Sequence, residues 1–462
     1  MVKRNPGKYA FLKQRSKILK ELSGIMVLLM ISLFIAGCGG GGGAKSALPA
    51  ADARAVGTGI TRSLKLNNYN TWHLVNDADH LNPSKLEAAL DILARRDVIC
   101  IGESWEYVNR VKGWTGLTPF TIKAKNPDAK VYELWDLMCK PEWDTDWEVD
   151  DPESLKDWRM QTPLTWKQIN DNDWWLRDGN GNMVEEYKDS NTWILDVGKP
   201  GFKEAYLAGL LSRLKDKGYD GVFFDYWGPW IKGAFFDRQS LPMPEAYPTD
   251  ADWTAAWQVF IKYICDGVHE AGYKVTGNCG TIFYSGTTEV WKYQQTLCDG
   301  TIYESWVYDW NANLLPVKEI EARIAIAQTD PLEAVIAEAA LKDTDPDYDA
   351  KHIISLAAYY IALPQDPALR AKRSYGNQYN RLPVWQAPWD FDIGEPSESA
   401  IKISGKYFWS RKFSNGIVLL NCEDAESISF TLTGNYHDSS GKTLSGQIAV
   451  PPHSGMILAK NP

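Results

Sequence analysis

From about residue 60 onward, short apolar runs alternate with longer stretches whose apolar residues recur every three or four positions. That is the pattern of strands and amphipathic helices taking turns around a parallel sheet. Seven runs read as strands, at 72–76, 98–103, 130–135, 221–227, 274–277, 300–305 and 334–338, and an eighth is placed near 382–386. Between them, 83–95 opens with Asn82 as cap and Pro83 in its first turn, and 200–217 sets Phe202, Tyr206, Leu210 and Leu214 at helical spacing. Two further helices are expected at 253–271 and 352–363. The chain therefore reads as α/β, a (β/α)8 TIM barrel over residues 63–393. From Gly394 the texture changes to short alternating runs, 407–413, 417–421, 427–432 and 456–459, separated by Gly, Asn and Ser turns. This predicts a small antiparallel β-sandwich-like domain over 394–462, too thin in core to stand alone and so packed on the barrel.

One segment carries the chemistry most clearly. Lys217-Gly-Tyr-Asp-Gly-Val-Phe-Phe-Asp-Tyr-Trp reads as a helix end, a left-handed stop at Gly218, a turn at Asp220-Gly221, a strand covered on both faces, and then Asp225 at the strand's carboxyl end. In a barrel of this kind that end is the reaction face. Glu103, Glu304 and Glu338 end other predicted strands on the same face. Trp105, Trp135, Tyr226, Trp227, Trp306 and Trp389 follow or end strand-like runs, where barrel geometry expects flat apolar rings on a cleft rim, suited to the faces of sugar rings.

The long, Trp-, Asp- and Asn-rich stretch 140–191 between the third and fourth predicted strands exceeds an ordinary connection and is expected to build a cleft. Within it Arg177-Asp-Gly-Asn-Gly-Asn182 reads as a hairpin turn; a calcium loop is disfavoured because Met183 stands where such a loop needs Gly. The acidic run Asp343, Asp345, Asp347 and Asp349 reads as a solvated loop. Asp196 precedes a helix and reads as structural or as part of the rim.

The first fifty residues change the picture of where the chain works. Residues 1–24 carry seven Lys or Arg against one Glu, and 24–36 is apolar but short for a membrane span. The segment closes on Ile35-Ala-Gly-Cys38, which resembles a bacterial lipobox. The resemblance implies a lipoprotein signal peptide at 1–37, lipidation of Cys38, export and anchoring at the cell envelope, in the outer membrane where there is one. Residues 38–62, with five consecutive glycines, then form a flexible tether. The formal net charge is −10; without residues 1–37, seven basic and one acidic residue go, leaving 42 basic against 58 acidic, or −16. That sign disfavours nucleic acid as a partner. Cys100, Cys139, Cys265, Cys279, Cys298 and Cys422 show no close paired spacing such as a zinc site needs, so no metal and no cofactor is expected. Buried thiols are the expected state, with Cys279 and Cys298 the first disulfide pair to test.

Glycoside cleavage needs two carboxyl groups flanking one bond, one protonated to help the leaving oxygen and one ionised to attack or to activate water. Asp225 and Glu304 are the preferred pair, since the ends of strands four and six can converge across the barrel mouth, with Glu304 as acid and Asp225 as nucleophile or base. Glu304 lies between Tyr303 and Ser305-Trp306, an apolar setting expected to raise a carboxyl pKa. Glu103 and Glu338 are reserve acids or substrate-binding groups. His73, His80 and His269 have no Gly-x-Ser-x-Gly partner, so Ser-His-Asp chemistry is not expected.

At these residues the chain resembles glycoside hydrolases of the TIM-barrel superfamily, including hypothetical families related to the endo-α-1,4-polygalactosaminidase-like proteins. One motif is Leu195-Asp-Val-Gly-Lys-Pro200, a helix, then Gly218-Tyr-Asp-Gly-Val-Phe-Phe-Asp225. The other is Arg411-Lys-Phe-Ser-Asn-Gly-Ile-Val-Leu-Leu-Asn421 followed by Pro451-Pro-His-Ser-Gly-Met-Ile-Leu458. The resemblance spans roughly residues 72–459 and implies a barrel, a carbohydrate substrate and Asp225 as the fourth-strand catalytic carboxylate. Glu304 follows by analogy with barrels that use strands four and six. Two other readings stand beside it: a non-catalytic glycan-binding surface lipoprotein, and an assembly scaffold for envelope polysaccharide.

Overall fold

The structure is a computed structural model that describes residues 83–96, 98–102, 118–141, 162–188, 190–225, 231–278, 293, 295–309, 311–338, 341, 347–377 and 387–461. Seven strands form one parallel sheet: β1 Val98–Gly102, β2 Lys130–Asp136, β5 Gly221–Asp225, β6 Lys274–Gly277, β7 Gly300–Tyr303, β8 Glu333–Glu338 and β9 Arg373–Asn377, in that spatial order. Each neighbours the next in sequence, so the sheet winds one way without a switch point, as a barrel must. The expected strand at 72–76 lies outside the described residues.

The sheet curls on itself. Flat strands spaced about 4.8 Å apart would separate β1 from β7 by about 19 Å. Yet Val98, Cys100, Tyr132, Phe223 and Ile302, drawn from β1, β2, β5 and β7, form a single apolar cluster. Burial pushes the Cys100 thiol pKa up, and the Glu333 carboxylate from β8 pushes it further. At the two edges, helix α1 (Pro83–Ala94) is followed by Arg95, which pairs with Asp390 beyond β9 at 3.0 Å, and by Arg96, whose guanidinium lies 4.8 Å from the centre of the Trp389 ring. Contacts inside and across the edges together define a TIM-like barrel.

The last barrel strand corrects the expectation near 382–386. The strand paired with β8 is Arg373–Asn377, in register Ala334↔Arg373 through Glu338↔Asn377, while 382–386 lies outside the described residues. Arg-Ser-Tyr-Gly-Asn has no apolar run to betray it. The buried Arg373 guanidinium ties it down, donating to the Ala327 carbonyl at 2.8 Å, to Leu332 at 2.7 Å and to Asp330.

Helices cover the outside. In α4 (Phe202–Lys217) the buried residues are Phe202, Tyr206, Leu210, Arg213 and Leu214, the stripe its spacing predicts, and Gly218 stops it at φ 76°, with the Phe120 ring packed where a side chain would stand. Helix α5 (Asp250–Glu270) starts earlier than 253 because Thr249 and Asp252 form a capping box. Helix α7 (Tyr348–Ala362) likewise starts before 352, with Asp349 in its first turn, where its charge suits the helix dipole. Asp343 and Asp345 lie outside the described residues.

The excursion after β2 forms a separate two-stranded ribbon, β3 (Cys139–Pro141) against β4 (Thr192–Ile194), extended by bridges Trp175↔Leu195, Arg177↔Met183 and Glu185↔Trp193. The 177–182 segment is the expected hairpin turn: Asp178 Oδ1 accepts from the Asn180 and Asn182 amides at 2.9 and 2.8 Å, and Gly181 sits at φ 83°. Asp196 is buried and accepts from the Tyr247 hydroxyl at 2.6 Å and the Gly198 amide at 3.1 Å, a structural role.

Six antiparallel strands close the chain: β10 (Ile401–Lys402), β11 (Phe408–Phe413), β12 (Gly416–Asn421), β13 (Ile428–His437), β14 (Thr443–Val450) and β15 (Ser454–Lys460), ordered β10-β11-β12-β15-β13-β14. The sheet curls over one apolar face built on Phe408, Ile417, Leu419, Tyr436 and Leu458. Its other face, with Trp409, Phe413, Val418, Leu420 and Ile457, joins the core of α7 and the barrel. Every residue of β12 is buried because both faces are covered. Arg411, fully buried, donates to the Tyr360, Ile361 and Leu363 carbonyls at the end of α7 and so fastens sheet to barrel. Among the described residues no helix is long and apolar enough to cross a membrane.

Candidate active site

Three consecutive barrel strands deliver three polar side chains to one point. Asp225 is the last residue of β5, Asn278 directly follows β6 and Glu304 directly follows β7. Each stands an even number of positions from an inward-facing residue of its own strand, as Asp225 does from Phe223 and Glu304 from Ile302, so the two-residue period of a strand turns them toward the axis. The Asn278 Nδ2 nitrogen donates to Asp225 Oδ1 at 3.1 Å and to Glu304 Oε2 at 3.0 Å. Two carboxylate acceptors demand the two N–H bonds of an amide nitrogen, which fixes the amide's orientation.

The bonds bound the spacing. Laid end to end they place Asp225 Oδ1 and Glu304 Oε2 no more than 6.1 Å apart, and the ~120° fork of an amide nitrogen brings that to about 5.3 Å. Both acids are half-buried, within reach of a ligand. Burial pushes the Asp225 carboxyl up from its ordinary 3.8 to about 6, while the Asn278 hydrogen bond works in the opposite direction.

The backbones are held as firmly. The Asn278 amide donates to the Phe224 carbonyl at 2.8 Å, and the Leu137 amide to the Asp225 carbonyl at 3.1 Å. After Glu304 the chain turns through Ser305 at φ 55°, a left-handed conformation that costs a non-glycine residue about 1–2 kcal/mol. Arg323 of helix α6 (Val317–Thr329), almost fully buried, donates to both carbonyls flanking this turn, Glu304 at 2.8 Å and Ser305 at 2.6 Å, and pairs with Glu319 at 2.6 Å.

The aromatic rim is corrected at three positions. Trp135 is fully buried on the helix side of β2, beneath the Arg213 guanidinium at 4.9 Å and beside the buried Glu133–Arg213 pair. Trp306 is buried in the core shared by α6 and α7, with its ring centre 6.3 Å from that of Tyr303. Trp389 is buried with its indole N–H donated to His352 at 3.0 Å. None of the three can line a cleft. Glu103, Trp105, Tyr226 and Trp227 lie outside the described residues, as does the side chain of Glu338, the last residue of β8. Asn278 went unforeseen although it stands at a strand end like the two acids; an uncharged side chain gives no charge signal.

Cys100, Cys139, Cys265, Cys298 and Cys422 are all buried, while Cys279 and Cys38 lie outside the described residues. Among the described residues no three His, Cys, Asp or Glu side chains group as metal ligands would.

Among solved structures, the chain is similar to a maltogenic α-amylase from Thermotoga neapolitana, at 10% identity over 87% of this chain and 100% of that one, TM-score 0.45. It is similar to a GH36 α-galactosidase from Geobacillus stearothermophilus, at 10% identity over 86% of this chain and 55% of that longer one, TM-score 0.46. An α-amylase from Lactobacillus plantarum matches at 12% identity over 88% of this chain and 100% of that one, TM-score 0.42. No curated protein matches in sequence. The sequence matches hypothetical glycosyl hydrolase family 15 over residues 123–417, a span that takes in β5, β6, β7 and all three residues of the amide-bridged cluster, and the chain belongs to that family.

Proposed function

We propose that the protein is a glycoside hydrolase in which Asp225 and Glu304 act as the carboxylate pair on a carbohydrate substrate. The observation that carries this reading is the single amide nitrogen of Asn278, after β6, bonded to both acids at the carboxyl ends of β5 and β7 on either side. Structural acid pairs are ordinarily neutralised by Lys or Arg; here the donor common to both is neutral.

The near oxygens of the pair, no more than 6.1 Å apart, are compatible with a retaining route. Carboxyls about 5–5.5 Å apart leave no room for a water between acid and sugar, whereas inverting enzymes hold them about 6.5–9.5 Å apart. Asp225, with its carboxyl at about 6, is mostly ionised at neutral pH and serves as nucleophile. Its oxygen bonds to the anomeric carbon as the glycosidic C–O bond breaks, and Glu304 passes its proton to the leaving oxygen. Water then attacks the anomeric carbon, gives its proton to Glu304 and releases Asp225 as carboxylate.

A hydrolysis screen over α- and β-linked oligosaccharides, with the product anomer followed by NMR, tests this. Expected are turnover with retained configuration and a loss of at least ~10³-fold in Glu304→Gln on substrates with poor leaving groups. Inverted product would break the assigned route. Binding without turnover in the wild type would favour the glycan-binding reading.

We carry the export reading beside it: residues 1–37 as signal, Cys38 as lipid-bearing residue, 38–62 as tether. Its support is the order of cationic, apolar and small residues before Cys38.

A further inference from the structure

We propose that Asn278 is the positioning residue of the acid pair: by donating to both carboxylates from one nitrogen it sets the spacing of the two carboxyl groups and keeps Asp225 Oδ1 and Glu304 Oε2 as acceptors. The inference rests on the hydrolase reading above and deepens it.

The geometry is specific to an amide. A hydroxyl has one proton and could serve only one acid at a time. An ammonium or guanidinium would reach both, but its charge would hold both carboxyls ionised and strip Glu304 of the proton it must give. The amide supplies two N–H bonds at a fixed angle and no charge, so it spaces the two acids without holding both of them ionised. Its own backbone is immobilised by the Phe224 carbonyl at 2.8 Å and by Gly277 of β6 in register with Phe224 of β5, so the fork cannot drift relative to Asp225. The Glu304 backbone is held from behind by Arg323 at the Ser305 turn. The amide therefore bridges two side chains whose backbones are anchored, and removing it frees the carboxyl groups without moving their strands.

The role is separable from structure by titration. The full chain, labelled with ¹³C at Asp Cγ and Glu Cδ, is titrated as wild type, Asn278→Ala and the equally shaped Asn278→Asp, with Asp225→Asn and Glu304→Gln identifying the two signals. The Asp225 midpoint should rise by about one unit in the Ala variant, because a donor to its ionised form is lost, and further in the Asp variant, where a third carboxylate stands between the first two. The acid limb of kcat/KM on a hydrolysed glycan should move with it, with kcat falling at least ~10-fold at pH 6 and KM little changed. An Asp225 midpoint that stays in place in both variants, with circular dichroism showing both folded, overturns the proposal; should the Ala variant not fold, the Asp variant carries the test. A wild type without turnover on any glycan overturns the hydrolase reading and with it the catalytic meaning of the spacing, whereas an active enzyme with an unmoved midpoint overturns the role of Asn278 alone.

Discussion

An ionised carboxylate at position 225 is held where its charge is poorly solvated, and that cost is measurable. Because the folded carboxyl titrates at about 6 and the ordinary value is 3.8, the native state binds more protons than the unfolded chain between those values. The contribution to stability is then full below about pH 4 and is lost as pH rises through 6. Asp225→Asn removes this loss. Thermal melts of variant and wild type should coincide near pH 4 and diverge by pH 7.5, the variant being more stable by on the order of 2 kcal/mol; a difference that does not change between pH 4 and pH 7.5 would show the carboxylate to be well solvated. The same residue scale shows what a sequence reveals of a site. Asp225 and Glu304 are legible because a charge directly after an apolar strand has few structural uses. Asn278 obeys the same placement but lacks the charge. Trp135 misleads for a different reason: a strand covered on both faces carries no polar alternation, so nothing in Lys-Val-Tyr-Glu-Leu-Trp tells which parity faces the axis. The buried Glu133, paired with Arg213 of α4 at 2.9 Å, settles that parity only once the helix is in place.

At the scale of elements, hydrophobic runs locate β1, β2, β5, β6, β7 and β8, because each must be apolar to lie between a packed axis and a helix layer. Several strands escape that rule, β9 and β14 among them. β9 is held by the Arg373 bonds to three carbonyls of the α6–β8 turn, and β14 is an edge strand, mostly exposed, that pairs only through its hairpin partner β13. Polar anchoring and edge exposure leave no apolar signature. Arg411 works by the same polar logic at the junction of barrel and C-terminal sheet. At the end of α7 this buried guanidinium joins the Leu363 amide on the Tyr360 carbonyl and the Gln328 side chain on the Ile361 carbonyl, and donates to Leu363 as well. Replacing it by Leu keeps the volume and removes the donors. The expected cost is about 2–4 kcal/mol, read as a lower thermal midpoint and as faster proteolysis near Gly394. An unchanged midpoint would mean that apolar contacts alone hold the sheet on α7.

Across the whole molecule, a barrel and a small sheet domain are legible from texture alone, since alternating βα patterns and short β-runs differ over tens of residues. If Cys38 bears the anchor, Cys38→Ala should shift the chain from the membrane fraction to the soluble fraction of a bacterial host, while equal partition of both forms would remove the lipid. Cleavage after residue 37 would leave a net charge of −16, which opposes anionic polymers as substrates of the proposed hydrolase. The barrel's meaning rests on its mouth, where β5 and β7 present two acids across the amide that follows β6. The most direct test compares turnover of the best glycan from a hydrolysis screen by the wild type and by Asp225→Asn at pH 7. A loss of at least ~10³-fold is expected for removal of a nucleophile; hydrolysis that continues at wild-type rate in the folded variant would contradict the account.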